Sequence, residues 1–363
     1  MPTKTSVLNL DADTAAATSK RSRVLAIILM IAIAGIFWVD SRYPALMKRY
    51  HTGSQVKAAG ALTFGVVYPV DRNMPLTTRV WRTAINWLDA NRIGMTFAFL
   101  FGPAALTFLA TLRRRRTNSR WLNAVLGAFA GMPLAVCSNC VAPIARGMFA
   151  AGMSTESVLA TMFASPALNV VVLAMSFALF PASVALLKLA TVLLLILVFA
   201  PLAAGRQQPS DAVIACPVQI NVSETWGQAS LSIARTYAKS FWYVFRIAFP
   251  LMLLAAVLGA LVVELFPAQA LTAQVTFGGI ILVALVGAFL PVPMAFDVAI
   301  AYVAMTRGVP LAYVVTILCT LGIVSVYSLA IIGKTISWKT ATAAYAAVVA
   351  LGTLAGLISR LLL

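Results

Sequence analysis

The sequence predicts an all-α, polytopic transmembrane protein with two repeated halves that contain proline-broken helices. Three observations carry that expectation. Of 363 residues 61% are hydrophobic and only 10% charged, and the mean hydropathy is +0.94, whereas soluble domains carry about a quarter charged residues. Several apolar runs reach the roughly 20 residues needed to cross a hydrocarbon core. Prolines and glycines interrupt the apolar sequence at matching places in its two halves.

Taken in chain order, residues 1–23 are a polar, disordered cytoplasmic tail ending in the basic "KRSR" of Lys20 to Arg23. The run from Val24 to Val39 has the look of a signal-peptide core, but its Ala-Ile-Ala triplet lies inside the apolar stretch, so an uncleaved anchor over 24–39 is expected. Residues 40–92 form an external segment, in which "RVWRTAINWLD" carries Trp81 and Trp87 with Arg79 and Arg82 and suits a helix lying at the interface. A first repeat covers 93–201. Its opening run, Ile93 to Leu112, is stopped by "RRRR" at Arg113 to Arg116. Both basic clusters agree with a cytoplasmic N-terminus by the positive-inside rule. A polar connector over 202–240 separates this repeat from a second at 241–363.

The net charge is +17, with 27 Lys+Arg against 10 Asp+Glu. In a soluble chain that excess would suggest nucleic acid. Here its placement beside apolar runs assigns it to topology, and no nucleic-acid partner is expected. Four cysteines are too few for a disulfide scaffold. The one histidine, His51, excludes sites that need two within this chain.

The halves can be aligned. "GAFAGMPLAV" (Gly127 to Val136) lies over "GAFLPVPMAF" (Gly287 to Phe296), which places Cys137 over Asp297. Further on, "AGMSTESVLATMF" lies over "RGVPLAYVVTILC", and "SPALN" (Ser165 to Asn169) over "LGIVS" (Leu321 to Ser325). An internal duplication is expected. Pro133, Pro143, Pro291 and Pro293 each remove a helical hydrogen bond where spans should run. Freed backbone at that depth survives only against protein or a wet cavity, and matched broken helices are pointers to a transporter's binding site. A simple kink is the alternative reading of any one of them.

"CSNC", Cys137 to Cys140, leaves three readings open. Its thiols suit a soft ion or substrate, they could form a redox pair, or they are small residues that let helices pack closely. A closed zinc site is not expected, for no second cysteine pair or partnering histidine exists. Asp297 stands among apolar residues, and an intramembrane carboxylate costs a few kcal/mol unless paired or wetted. Where burial favours the protonated form of such a carboxylate, it can pick up and release protons near neutral pH, and that is the role expected of Asp297. Arg146 and Arg307 are the expected charge partners, and a water-facing helix end is the alternative. Ser165, Asn169, Thr316, Ser325 and Tyr327 add polar groups that either serve a site or glue helices together. "GKT" at Gly333 to Thr335 is not a phosphate-binding loop, because Ser328 stands where its first glycine must be. No enzyme activity and no cofactor are expected.

The block "GMPLAVCSNCVAPIARGMFAAGM" with "ATMFASPALN", and "PVPMAFDVAIAYVAMTRGVPLAYVVTILCTLGIVSVYSLAI" in the second half, resemble the bacterial predicted-permease family that includes the organoarsenical efflux permeases. The similarity extends from about Ile93 to the C-terminus. It implies a multi-pass secondary permease of the inner membrane, exporting a soft metalloid or metal species such as a trivalent organoarsenical. Cys137 and Cys140 become soft-substrate ligands, within a binding set of Pro133, Cys137, Ser138, Asn139, Cys140, Pro143, Ser165, Asn169 and Pro293, with Asp297 coupling protons. The partners are then a small-molecule or ion substrate and the bilayer, with homo-oligomerisation left open. Two readings of other classes stand beside this one: a membrane thiol redox protein using Cys137 and Cys140, and a non-transporting assembly partner.

Overall fold

A computed structural model describes residues 20–44, 67–71, 73–111, 119–204, 225–265 and 275–362. The expected tail up to residue 19, His51, the basic tract 113–116 and Cys216 lie outside the described residues. Among the described residues every regular element is helical. In chain order these are α1 (Lys20–Phe37, extended by a π-helical turn Trp38–Arg42), α2 (Leu76–Ala110), α3 (Arg120–Gly131), α4 (Ser138–Ala150), α5 (Thr155–Ala167), α6 (Val170–Leu179), α7 (Ala182–Ala203), α8 (Trp226–Leu265), α9 (Phe277–Phe289), α10 (Phe296–Thr306), α11 (Leu311–Thr320), α12 (Val326–Thr335) and α13 (Trp338–Leu362).

Within α1, α7, α8 and α13 lie segments long and apolar enough to cross a membrane, and α5 with α6 makes a further pair bent by 46° at a short break. The chain is therefore a multi-pass, all-α membrane protein. Two expected boundaries move. The interfacial helix is not a separate element: "RVWRTAINWLD" is the first part of α2, which continues through the apolar run without a break. Trp81 stays exposed, but Trp87 turns inward and its Nε1 donates to the Pro291 carbonyl at 2.7 Å. α8 begins at Trp226, inside the expected connector. α8 packs antiparallel beside α2, with Tyr237 donating to the Leu100 carbonyl at 3.2 Å and the Arg79–Glu264 ion pair at the other end of the contact.

The helices between the long spans are short. At about 1.5 Å per residue, the 12 residues of α3 and the 13 of α4 each reach roughly two thirds of a hydrocarbon core. Each therefore needs a partner at its broken end, and small polar residues meet the freed amides. Ser119 caps α3, Cys137 α4, Ser154 α5, Asn169 α6, Thr276 α9 and Ser325 α12, each side chain accepting a backbone N–H of the first turn.

Two series follow one another, α3 to α7 and α9 to α13. Each opens with a short helix, breaks at a proline, and closes on a long span. Ala135 (φ 46°) and Ala295 (φ 63°) are the non-glycine residues in the left-handed region among the described residues, one in each break and at the same position of the aligned motif. Gly152 (φ 80°) and Gly308 (φ 79°) reverse the chain after α4 and α10, again in register. Asn169 and Ser325, the caps of α6 and α12, are aligned as well. An alanine held left-handed costs about 1–2 kcal/mol, so Ala295→Gly is expected to stabilise the protein by about 0.5–1 kcal/mol, read as a raised thermal midpoint in detergent.

Close packing in both series rests on glycine. A Cβ on Gly127 would stand 2.3 Å from the Ser157 carbonyl oxygen, and one on Gly287 2.3 Å from Thr320 Oγ1. These aligned glycines bring α3 onto α5 and α9 onto α11. Contacts between the series are reciprocal: α4 packs on α12, and α10 on α6.

Candidate functional site

Cys137 and Cys140 lie at the start of α4 because the break at Met132 to Ala135 turns the chain through Ala135 and ends on Cys137 as helix cap. The Cys137 sulfur accepts the Cys140 N–H at 3.2 Å, and the two Sγ atoms are 2.7 Å apart. Both side chains are buried. A second helix reaches them: Cys137 Sγ donates to Asn91 Oδ1 of α2 at 3.7 Å, and α2 comes this near because Gly94 faces Cys140, where a Cβ would stand 2.7 Å from the sulfur. Tyr327 of α12 lies within electrostatic reach of both thiols and of Arg146. Its hydroxyl and that of Ser138 are buried without a hydrogen-bond partner among the described residues. The two adjacent buried thiols thus have the Asn91 amide beside them and Tyr327 within electrostatic reach.

Asn139 joins the two breaks. Its Nδ2 donates to the Val292 carbonyl at 3.3 Å, and its Oδ1 accepts from Ser325 Oγ at 2.6 Å. Ser325 also makes a capping box with Ser328 at the start of α12. The other predicted residues support this geometry. Pro133 ends α3, and its carbonyl accepts from Trp38 Nε1 at 3.1 Å. Pro143 is buried within α4 against Gly102 of α2. Ser165 exchanges hydrogen bonds with the backbone of Val136. Asn169 caps α6 and donates to the Ser165 and Pro166 carbonyls. The Pro293 carbonyl accepts the Phe296 N–H at the entrance to α10, while Thr316 turns to the Ala312 carbonyl of its own helix.

Asp297 belongs to a different neighbourhood. It is 5% exposed, in the first turn of α10, and forms an ion pair with Lys188 of α7, itself 1% exposed. The expected partners are corrected by this contact. Arg146 stacks over Tyr243 at 4.3 Å and donates to Thr335, and Arg307 is exposed at the far end of α10. The Cys319 thiol of α11 is hydrogen-bonded with Thr191 and lies by the pair. Gly322, left-handed at φ 83°, lies in the turn after α11, where an added Cβ would stand 3.4 Å from Asp297 Cβ. Lys188 carried a usable signal: it is a lone lysine inside a 22-residue apolar span, and such residues are functional or paired by default. Asn91 gave none, for polar residues are common along the first part of α2.

Among the described residues no group of three His, Cys, Asp or Glu side chains comes together. The thiols offer two soft ligands, and the carboxylate is matched by a lysine.

A predicted-permease family model matches residues 107–361. The UPF0718 protein YraQ of Escherichia coli (strain K12) is 24% identical over 318 residues, covering 85% of this chain and 87% of that protein. No solved structure matches. The matched region takes in both helix breaks, the thiol pair and the Lys188–Asp297 contact, and the chain belongs to the predicted-permease family.

Proposed function

We propose that this membrane permease exports a soft metalloid or metal species, such as a trivalent organoarsenical, across the bacterial inner membrane by alternating access between two duplicated halves. The observation that carries this reading is the meeting of two register-matched helix breaks at Asn139, directly beside a buried pair of thiols. Broken helices place unpaired backbone where a substrate can be held, and two halves in reciprocal contact can rock around that point. The left-handed alanines Ala135 and Ala295 and, after a gap of four residues in the alignment, the left-handed Gly152 and Gly308 and the helix caps Asn169 and Ser325 recur at matching places, which supports duplication. In this reading the N-terminus is cytoplasmic.

The chemistry of binding follows from the thiols. An organoarsonous acid carries two hydroxyls on arsenic. Each thiol forms an As–S bond, an As–O bond breaks, and the thiol proton leaves with the hydroxyl as water, two waters in all. The product is neutral and apolar, suited to a membrane interior. In this reading Asn91 and Tyr327, the polar groups near the thiols, hydrogen-bond a hydroxyl during exchange. Thiolates select soft centres over oxygen-seeking cations.

The expected result is that everted vesicles take up phenylarsonous acid, and that Cys137→Ser/Cys140→Ser lowers the initial rate at least about tenfold, with two As–S bonds replaced by ordinary hydrogen bonds. Unchanged uptake in the double variant would remove the thiol role. The adjacency of the two buried thiols also fits the redox reading. That alternative requires a reversible disulfide between Cys137 and Cys140, visible by differential thiol labelling and mass spectrometry in cells grown with and without oxidant.

A further inference from the structure

Among the described residues, the elements around Asp297 leave it one charged neighbour. α7 supplies Lys188, and α11 supplies the Cys319 thiol beside the pair. α6, which packs on α10, carries no titratable side chain. On α13, which packs on α7, Lys339 and Arg360 are exposed and Tyr345 donates to the Leu285 carbonyl. Glu156 of α5 accepts from Asn123. On α10 itself Arg307 is exposed, and Tyr302 stacks edge-on against Phe180. The pair joins the closing span of the first series to the second break, and both members are almost fully buried.

We infer that Asp297 is a two-state cation site at which the Lys188 ammonium and a proton from solvent compete, so that the pair is a latch between the halves. This deepens the permease reading and rests on it for its place in transport, although not for its test. With both groups charged the site is neutral and stays buried. When a proton binds an Asp297 oxygen, the O–H bond forms and the attraction for the ammonium is lost. Lys188 is then a buried charge without a counter-ion, a state costly enough that its helix must move toward water. Proton entry is thereby converted into separation of α7 from α10. Lys188 is a positioning residue here: it holds the carboxylate ionised until the proton displaces it. No second ion is needed, and charge is conserved because the proton stays on the carboxyl.

Hydrogen–deuterium exchange with mass spectrometry on the full chain in nanodiscs tests this without a substrate. After correction for intrinsic rates, the wild type is expected to exchange about tenfold faster in α7 and the first turns of α10 at about pH 5 than at about pH 7.5, the rest of the chain changing little. Asp297→Asn should exchange fast at both, because its lysine is always unpaired. Lys188→Met/Asp297→Leu, apolar and close in volume, should exchange slowly at both. This double variant decides the matter if the single one does not fold. A wild type indifferent to acid, or a double variant that keeps the acid response, overturns the latch. Vesicles that ignore phenylarsonous acid would instead remove the substrate proposed above and leave the exchange result to stand.

Discussion

Replacing Lys188 by alanine is expected to lower stability by about 3–5 kcal/mol, the usual consequence of removing one partner from a buried ion pair. The variant leaves Asp297 enclosed by α6, α7 and α11 with no cation in reach among the described residues. Part of the loss is recovered if the carboxyl binds a proton instead, so the variant should be less unstable in mild acid than at neutral pH, opposite to the trend for a paired carboxylate. Thermal unfolding in detergent at several pH values measures both effects. Lys188→Met/Asp297→Leu should stand close to the wild type, because it removes the charge and its counter-charge together. A lysine variant as stable as the wild type at neutral pH would show that the pair contributes nothing to the fold.

Gly127→Val is the second large effect. A Cβ at this position would meet the Ser157 carbonyl oxygen, α-carbon and carbonyl carbon at 2.3 to 2.8 Å. All three are backbone atoms, which cannot rotate aside as a side chain would. The same face of α3 carries Gly131, whose Cβ would reach the Thr161 carbonyl oxygen at 2.7 Å, so the contact has no slack one turn further on. α3 and α5 must separate, and the hydrogen bonds from Ser157 to the Asn123 carbonyl and from Thr161 to the Gly127 carbonyl break with them. The expected loss is about 3 kcal/mol, at the upper end for overpacking. Because α3 leads into the first break, the variant should also lose transport. Gly287→Ala is the counterpart in the second series: its Cβ would stand 2.3 Å from Thr320 Oγ1, and Thr320 is fully buried, bonded to the Thr316 carbonyl and packed against Gly352 on its other side. A Gly127 variant as stable as the wild type would show that α3 and α5 can part without loss.

The broken helices were legible because proline leaves a mark that does not depend on context: it lacks an N–H wherever it stands. Pro133 and Pro293 do sit at breaks. Pro143 does not, since it is held inside α4, where α2 packs beside it through Gly102. The helix over 76–92 was legible as a helix but not as part of a longer one. Its charges and tryptophans read as an interface, and only the inward turn of Trp87 to Pro291 shows that this face is covered. For Asp297 the need for a counter-charge was legible from desolvation. The choice among arginines was not, because an apolar helix offers no clue to which of its faces meets which neighbour.

By itself the sequence determined the membrane class, the helical character and the two breaks at Pro133 and Pro293, since each follows from composition or from a residue's own backbone chemistry. Tertiary structure decided the pairings. Lys188 lies 109 residues from Asp297 and Asn139 186 residues from Ser325. A polar side chain in an apolar run states that it needs a partner, and only the packing of the helices supplies one. Burial makes that choice unforgiving, for in the absence of water each such group must find its match in the protein or remain unsatisfied.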